Sequence, residues 1–599
     1  MKEKLLAGFT LASVLANGLL GANVNVSGQI TANTTWTADN TYLLNGYVFV
    51  TNDATLTIEP GTVVKGKVSS GAGAAALVIT RGAKIMAEGT ASDPIIFTSE
   101  LDNLDGNLGP EDTELWGGLV VLGNATINSR ANGEVVGTPV QDQIEGFSVS
   151  PNETGLITFG GTNDDDNSGV LRYLSIRHGG AEIGTANEIN GLTMGGVGRG
   201  TTVEYVEVFA NKDDGFEWFG GTVNARYLVS AFNNDEAFDY DTGWRGKGQF
   251  WFAIQTDIGS ERGDKGGEWD GATSPFNATP MGGATVYNAT FVGIGSAGGA
   301  NRAFSLNDNV AAKLYNSVIT DYATMIEVDV DLTPERLTAG DIDFRNNLWW
   351  SHVAANNNAA AFDAGTTNAE VLWTDAARDN QIADPMLLGI SRTTNGGLDP
   401  RPAAGSPALT GTFRELPAGD TFYTAAQYKG AFNTTNWAAG WTKLYSDGYF
   451  DTTATEDDEV PAKIPNSVGK PVNLSTRGFV GAGDQAMIGG FVIGGTQTQQ
   501  VIVRASGPGL AAVAPNLAGQ VLPDPTLELT TAAGALIKSN DNHAEAAATV
   551  SASVGAFALP AGSADAVLVA NLAPGNYTAI VRGKNGSSGI VLLEIYEVD

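Results

Sequence analysis

The chain has 599 residues with 77 Gly, 22 Pro and no Cys, and its 66 acidic against 33 basic side chains leave a net charge of −33. Such a charge repels phosphate backbones and anionic membranes, which argues against nucleic acid as a partner and for divalent cations. Without Cys there are no disulfides, no thiol catalysis and no zinc–thiolate sites.

The first segment, 1–22 (MKEKLLAGFTLASVLANGLLGA), joins a short basic start to an apolar run from Leu5 to Leu20 and small residues near Ala22. That is the pattern of a secretory signal peptide, so the chain is expected to be exported, to the outer surface or the medium; an uncleaved anchor is the alternative. No later segment offers about 18 uninterrupted apolar residues, so no transmembrane bundle is expected.

From 23 to 450, short β-rich runs alternate with Gly, Asn and Asp. TLTIEPGTVVKG from Thr55, ALVITRGAKIMAEG from Ala76, WGGLVVLGNATI from Trp116, LRYLSIRHGG from Leu171 and VEYVEVFAN from Val203 all alternate apolar and polar residues. NDDDN (Asn163 to Asn167) reads as a solvated loop, with a metal role as the alternative. An offset of 22 then pairs Asn211 with Asn233, Asp213 with Asp235, Asp214 with Glu236, Phe216 with Phe238, Glu217 with Asp239 and Trp218 with Tyr240. A weaker third copy, DKGGEWDG from Asp264, aligns Glu268 with Glu217 and Trp269 with Trp218. Further on, VYNATFVG, LYNSVITD and FRNNLWWS place Asn288, Asn316 and Asn346 at intervals of 28 and 30.

Periods of 22 to 30 suit a solenoid of constant strands and variable loops, with Asn and Gly in left-handed turns. The predicted fold is all-β: a right-handed parallel β-helix over 23–450. A β-propeller would need repeats of roughly 40 to 50 residues. Residues 451–467, acidic and without aromatics, are expected to be a linker, and 468–599 a small antiparallel β-sandwich.

These motifs carry a resemblance. LTIEPGTVVKG, ELWGGLVVLGNATIN, the stretch from Asn187 to Phe250, YKGAFNTTNWAAGWTKL and the closing phrase DPRPAAGSPAL resemble a group of exported bacterial parallel β-helix proteins of Gram-negative lineages, over nearly all of the first 450 residues. The resemblance implies the fold and an exported location, and it carries no activity. The tail, with VIVRASGPGL, LPDPTLEL and PGNYTAIVRG, is similar to a C-terminal module attached to many exported proteins, which implies a sorting, anchoring or binding accessory.

The repeat raises an electrostatic question. Residues one coil apart in a β-helix stack about 4.8 Å apart, and at an effective dielectric near 20 two carboxylates about 5 Å apart repel by roughly 3 kcal/mol. Ca²⁺ is the expected compensation, because it accepts flexible shells of carboxylate and carbonyl oxygens. The candidate ligands are Asp213, Asp214, Glu217, Asp235, Glu236, Asp239 and Asp241, with the Asn211 and Asn233 amides to complete a site. In the competing reading these acids form the solvated face of strands with buried aromatics, neutralised by Arg226, Arg245 and Lys247.

Two functions follow. The first is a structural, adhesive or glycan-binding surface protein, with extracellular polysaccharide or cell-surface components as partners; Trp218, Trp244, Trp269 and Arg245 are its candidate ligand contacts, against the alternative that the rings stack inside the coil. The second is a polysaccharide lyase or glycoside hydrolase, with Arg245 or Lys247 as base and Asp213, Asp235 or Asp239 as acid or metal ligand. His178, His352 and His543 are too scattered for a metal site, and there is no G-x-S-x-G elbow.

Overall fold

A computed structural model describes residues 22–129, 140–147, 149–184, 187–257, 263–272, 275–295, 301–329, 333–350, 369, 371–450 and 473–598, the last with short gaps at 483–484, 494–497, 533, 544–549, 552–553 and 555. All but the last residue of the expected signal segment (1–22), the whole expected linker (451–467) and His352 lie outside these residues.

A 26-stranded, mainly parallel sheet winds from Asn23 to Ile382 as a parallel β-helix. Each coil contributes to three faces. One carries Thr202–Phe209, Asn224–Ala231 and Lys247–Ile254, each bending at a corner to serve two faces, and the third carries Leu192–Val197, Phe216–Gly221, Phe238–Asp241, Lys265–Asp270, Arg302–Asn307 and Thr324–Val328. The register follows the sequence repeat, with Phe216 on Phe238, Glu217 on Asp239 and Trp218 on Tyr240.

Alternation drives every second side chain inward, and the repeat makes the inward residues stack. Trp218 lies 4.6 Å from Trp244 and 5.2 Å from Trp251, and Phe238 lies 4.6 Å from Trp251, all near parallel. The indole N–H groups of Trp244, Trp251 and Trp269 donate to the backbone carbonyls of Val223, Ala225 and Phe238, so the core takes these large rings without stranding those donors.

Tyr173, Tyr205, Tyr227, Phe250, Asn288, Asn316 and Asn346 occupy the same coil position, and all are left-handed, with φ between 50° and 58°. The Asn members take the turn as the sequence predicts. Four aromatics do so as well, at a cost of about 1–2 kcal/mol each; their rings stack at 4.5, 4.3 and 4.9 Å, which offsets part of it.

The region after Ile382, expected from its motifs to close the β-helix, instead runs back along this corner. Leu387–Ile390 pairs antiparallel with Leu398–Pro402. From there the Arg414 backbone meets the Asn316 amide, Tyr428 O accepts from Asn288, and Trp437 and Trp441 stand edge-on over Tyr227 and Tyr205. The strap ends at a short helix, Lys443–Ser446, whose first N–H groups, from Lys443 and Leu444, donate to the buried Glu207 carboxylate. Beside it, His178 is fully buried, with Nδ1 on Asp112 O.

Asn473–Glu597 forms two four-stranded antiparallel sheets enclosing a separate apolar core. Among the described residues no helix is long and apolar enough to cross a membrane.

Burial, with the Lys443 charge close by and the Asp102 carboxylate only partly opposing it, pushes the His178 pKa down to about 3. The folded protein therefore binds this proton less readily than the unfolded chain. The stability is complete above about pH 6.5 and is lost as pH falls toward 3, by on the order of 4 kcal/mol. His178→Asn, which retains an N–H donor and tolerates the left-handed backbone, is expected to flatten the urea-unfolding free energy between pH 6 and pH 3.5 relative to the parent.

Candidate functional site

The acidic wall grows out of the third face. Its first coils are apolar on the outside, with Phe49, Val78, Val120 and Leu122 covered by the 140–159 excursion through Ile144, Phe147, Ile157 and Phe159. At Glu217 the outward column changes to acid: Glu217, Asp239 and Glu268 are direct neighbours on adjacent strands. The preceding corner is acidic too. Asp213, Asp235 and Asp264 are equivalent by register, as are Asp214, Glu236 and Lys265.

Tight backbone packing sets that corner. Gly215 has no room for a side chain, since a Cβ there would lie 2.5 Å from Ser230 Oγ and 2.6 Å from Asn233 Nδ2. Asn211 donates Nδ2 to Ile189 O and Asp214 O, while its backbone N–H donates to Asn233 Oδ1 at 2.8 Å. The Asn233 amide oxygen and the Asn211 amide nitrogen thus hold the turn, while Asn211 Oδ1 is buried without a hydrogen-bond partner.

Three groups of carboxylates converge so that one oxygen from each residue lies within 4.8 Å of the others: Asp213, Asp214 and Asp235; Asp214, Glu217 and Asp239; and Asp235, Glu236 and Asp264. Asp241 is in none of them. It sits two residues beyond Asp239, where its charge bears on Asp270 and Glu145. The solvated-face reading does not hold for Asp214, Glu217 and Glu236, which are only 3 %, 6 % and 4 % exposed.

Crowding shows in the acidities. Burial, then the Asp235, Glu188 and Glu145 charges, pushes the Asp213 pKa up to about 7. Asp270 is pushed up to about 8 by burial and by Glu268. Asp214, Glu217, Glu236 and Asp239 are all driven well above the usual carboxylate range by burial, then by their acidic neighbours.

The cations expected to relieve this wall lie elsewhere. Arg226 pairs with Glu204, Arg245 with Asp164 at 2.6 Å, and Lys247 with Asp420. Asp164 and Asp165 of the NDDDN run also pair with Arg199, so that run is a charge-paired turn. Sequence reasoning passed over the cation that does reach the wall: Lys265 Nζ stands 2.5 Å from Glu236, 2.8 Å from Asp264 and 3.2 Å from Glu268. Its signal is the charge reversal in the third copy, Lys where the earlier copies have Asp214 and Glu236. Glu145, also missed, comes from a segment with no repeat to mark it, and Asn190, missed too, stands where the next coil has Asp214, its signal being the shared Asn190-Gly191 and Asp214-Gly215 steps.

The aromatic expectation needs correction. Trp218, Trp244 and Trp269 are wholly buried in the coil and offer no face to a sugar. Alternation puts Trp218 and Trp269 inward when Glu217 and Glu268 point out, and Trp244 closes over Trp218. Arg245 is engaged by Asp164, Thr126 O and Gly243 O. Nearby lies an open polar cavity of about 480 Å³, lined by Arg81, Asn124, Gln141, Thr162, Asn163 and two glycines.

The fold and its acidic face define a class. The chain belongs to the family described as "Pectate-lyase like beta helix domain", which matches residues 28–385. No curated protein matches it. Among solved structures, the tailspike protein of Acinetobacter phage vB_ApiP_P1 is 10 % identical and aligns over 92 % of this chain and 82 % of that one; its TM-score of 0.20 is too low to carry an argument.

Lys265→Met leaves Glu236, Asp264 and Glu268 facing one another without their cation. Removing one member of a buried pair typically costs about 3 kcal/mol or more, so the urea midpoint is expected to fall accordingly. Glu236→Gln added to Lys265→Met is expected to recover part of the loss.

Proposed function

We propose that this chain is an exported surface protein that binds polysaccharide, with calcium stabilising its acidic face, and that it does not cleave what it binds. The observation that carries the choice of binding over cleavage is the state of the basic groups. A lyase needs an accessible base near the metal-binding acids. Arg245 and Lys247 are paired away from the wall with Asp164 and Asp420. Lys265 does converge on it, but the Glu236 and Glu268 charges outweigh burial and push its pKa far up, so its ammonium does not give up its proton to act as a base.

Polysaccharide as the ligand is supported by family membership and by the polar cavity, whose amides, hydroxyl and guanidinium suit sugar hydroxyls. Calcium is supported by the carboxylate sets and is the hard cation available outside cells. The sandwich serves as an anchoring or sorting accessory, a role supported by the sequence resemblance of the tail.

Affinity electrophoresis against a panel of neutral and uronate polysaccharides, with and without Ca²⁺, tests this reading, alongside assays for unsaturated products and new reducing ends. At least one polysaccharide is expected to retard the protein with no product formed. Asn124→Ala/Gln141→Ala is expected to reduce retardation at least severalfold. Product formation, or retardation by none of the panel, contradicts the proposal.

A further inference from the structure

We infer that the acidic corner holds two calcium ions, one on Asp213, Asp214 and Asp235 and one on Asp214, Glu217 and Asp239 with the Asn190 side-chain oxygen, and that Lys265 stands as a built-in cation where a third would fall. The inference deepens the calcium reading above and is independent of whether a glycan binds.

Geometry supplies the first argument. Ca²⁺ holds oxygens at about 2.3–2.6 Å, so ligands on opposite sides of it stand roughly 4.6–5.2 Å apart. Each triad keeps its oxygens within 4.8 Å, a spread that one such ion spans without rearrangement of the backbone. Asp214 belongs to both triads and would bridge the ions through its two oxygens, one of which also accepts the Glu236 N–H at 2.9 Å.

One further candidate ligand lies outside the carboxylates. Asn190 is 4 % exposed and precedes Asp214 in the same corner column. Its Nδ2 donates to Glu217, yet its buried Oδ1 has no hydrogen-bond partner. Asp239 Oδ1 is likewise sealed from solvent without a partner. Leaving a buried polar atom unsatisfied costs about 1–3 kcal/mol; two such oxygens at one carboxylate cluster are what an oxygen-seeking ion would satisfy.

A further argument is internal comparison. The set Asp235, Glu236 and Asp264 matches the other two in spread but carries the Lys265 ammonium against Glu236 and Asp264. On another face, the column Glu88, Arg172, Glu204 and Arg226 alternates in sign, with ion pairs of 3.3, 3.2 and 2.5 Å. Columns of this solenoid are thus neutralised from within in two other places. Among the described residues no lysine or arginine forms an ion pair with Asp213, Asp214, Glu217, Asp235 or Asp239.

Calorimetric titration of the metal-stripped full chain with CaCl₂, paired with melting in EDTA and in Ca²⁺, tests the assignment. The parent is expected to bind two ions and to melt higher in Ca²⁺. Asp239→Asn and Asn190→Leu should each weaken one site at least tenfold and spare the other, and Asp214→Asn should abolish both. In EDTA Asp214→Asn should melt no lower than the parent, because it removes repulsion, which shows that the variant folds. A parent that binds no Ca²⁺, or an Asp214→Asn variant that retains both ions, overturns the inference. Two ions bound with no polysaccharide retained would refute the glycan reading and leave this one standing.

Discussion

In-register stacking is the constraint on which this molecule depends. Parallel pairing sets each residue about 4.8 Å from its counterpart in the next coil, so a repeated sequence becomes a column of like side chains. Inside the coil that is favourable: Phe216, Trp218, Phe238, Trp251 and Trp269 bury large apolar surfaces against one another. Outside it, the same rule is favourable only when the column is apolar, alternates in charge or finds a counter-ion. Two faces exhibit these cases: on the third, Phe49, Val78 and Val120 lie under an apolar cover and Glu217, Asp239 and Glu268 further along the same column are all acidic, while on another face Glu88 through Arg226 alternate in sign.

The return strap solves a different problem set by the same rule. A corner repeated coil after coil demands the same backbone turn each time, and here that turn is left-handed. Asn meets the demand locally and Tyr or Phe does not, so the aromatic half of the column needs tertiary support. Trp437 and Trp441 supply it, and the Glu207 carboxylate pins the strap's last helix by its N-terminus. A solenoid flank that would otherwise present strained corners is thereby sealed by its own chain.

Much of this was legible in the residues. The 22-residue offset gave the register Glu217 on Asp239, and the weak echo at Asp264 placed Glu268 next in line, because a parallel ladder turns sequence period directly into spatial order. The inward direction of Trp218 followed from alternation, yet its complete burial, and that of Trp244, depends on the closing loop and is not periodic. The burial of Glu217 was hidden for the same reason: the 140–159 excursion that overhangs it has no repeat. The strap was misread as further coils because a segment that follows a β-helix corner uses the same short apolar runs and Gly turns as a coil does. Lys265 was overlooked where alignment by likeness fails, since its importance lies in breaking the pattern.

We propose that bound cations, and not protonation alone, balance the like-charged columns of the third face. The most direct measurement is anomalous diffraction from crystals of the full chain grown in Ca²⁺ and exchanged into Tb³⁺. The account predicts two anomalous peaks, one among Asp213, Asp214 and Asp235 and one among Asp214, Glu217, Asp239 and Asn190, with none beside Lys265. Absence of both peaks, with the carboxyl oxygens paired at hydrogen-bond distance, would mean that shared protons hold this face together and would contradict the account.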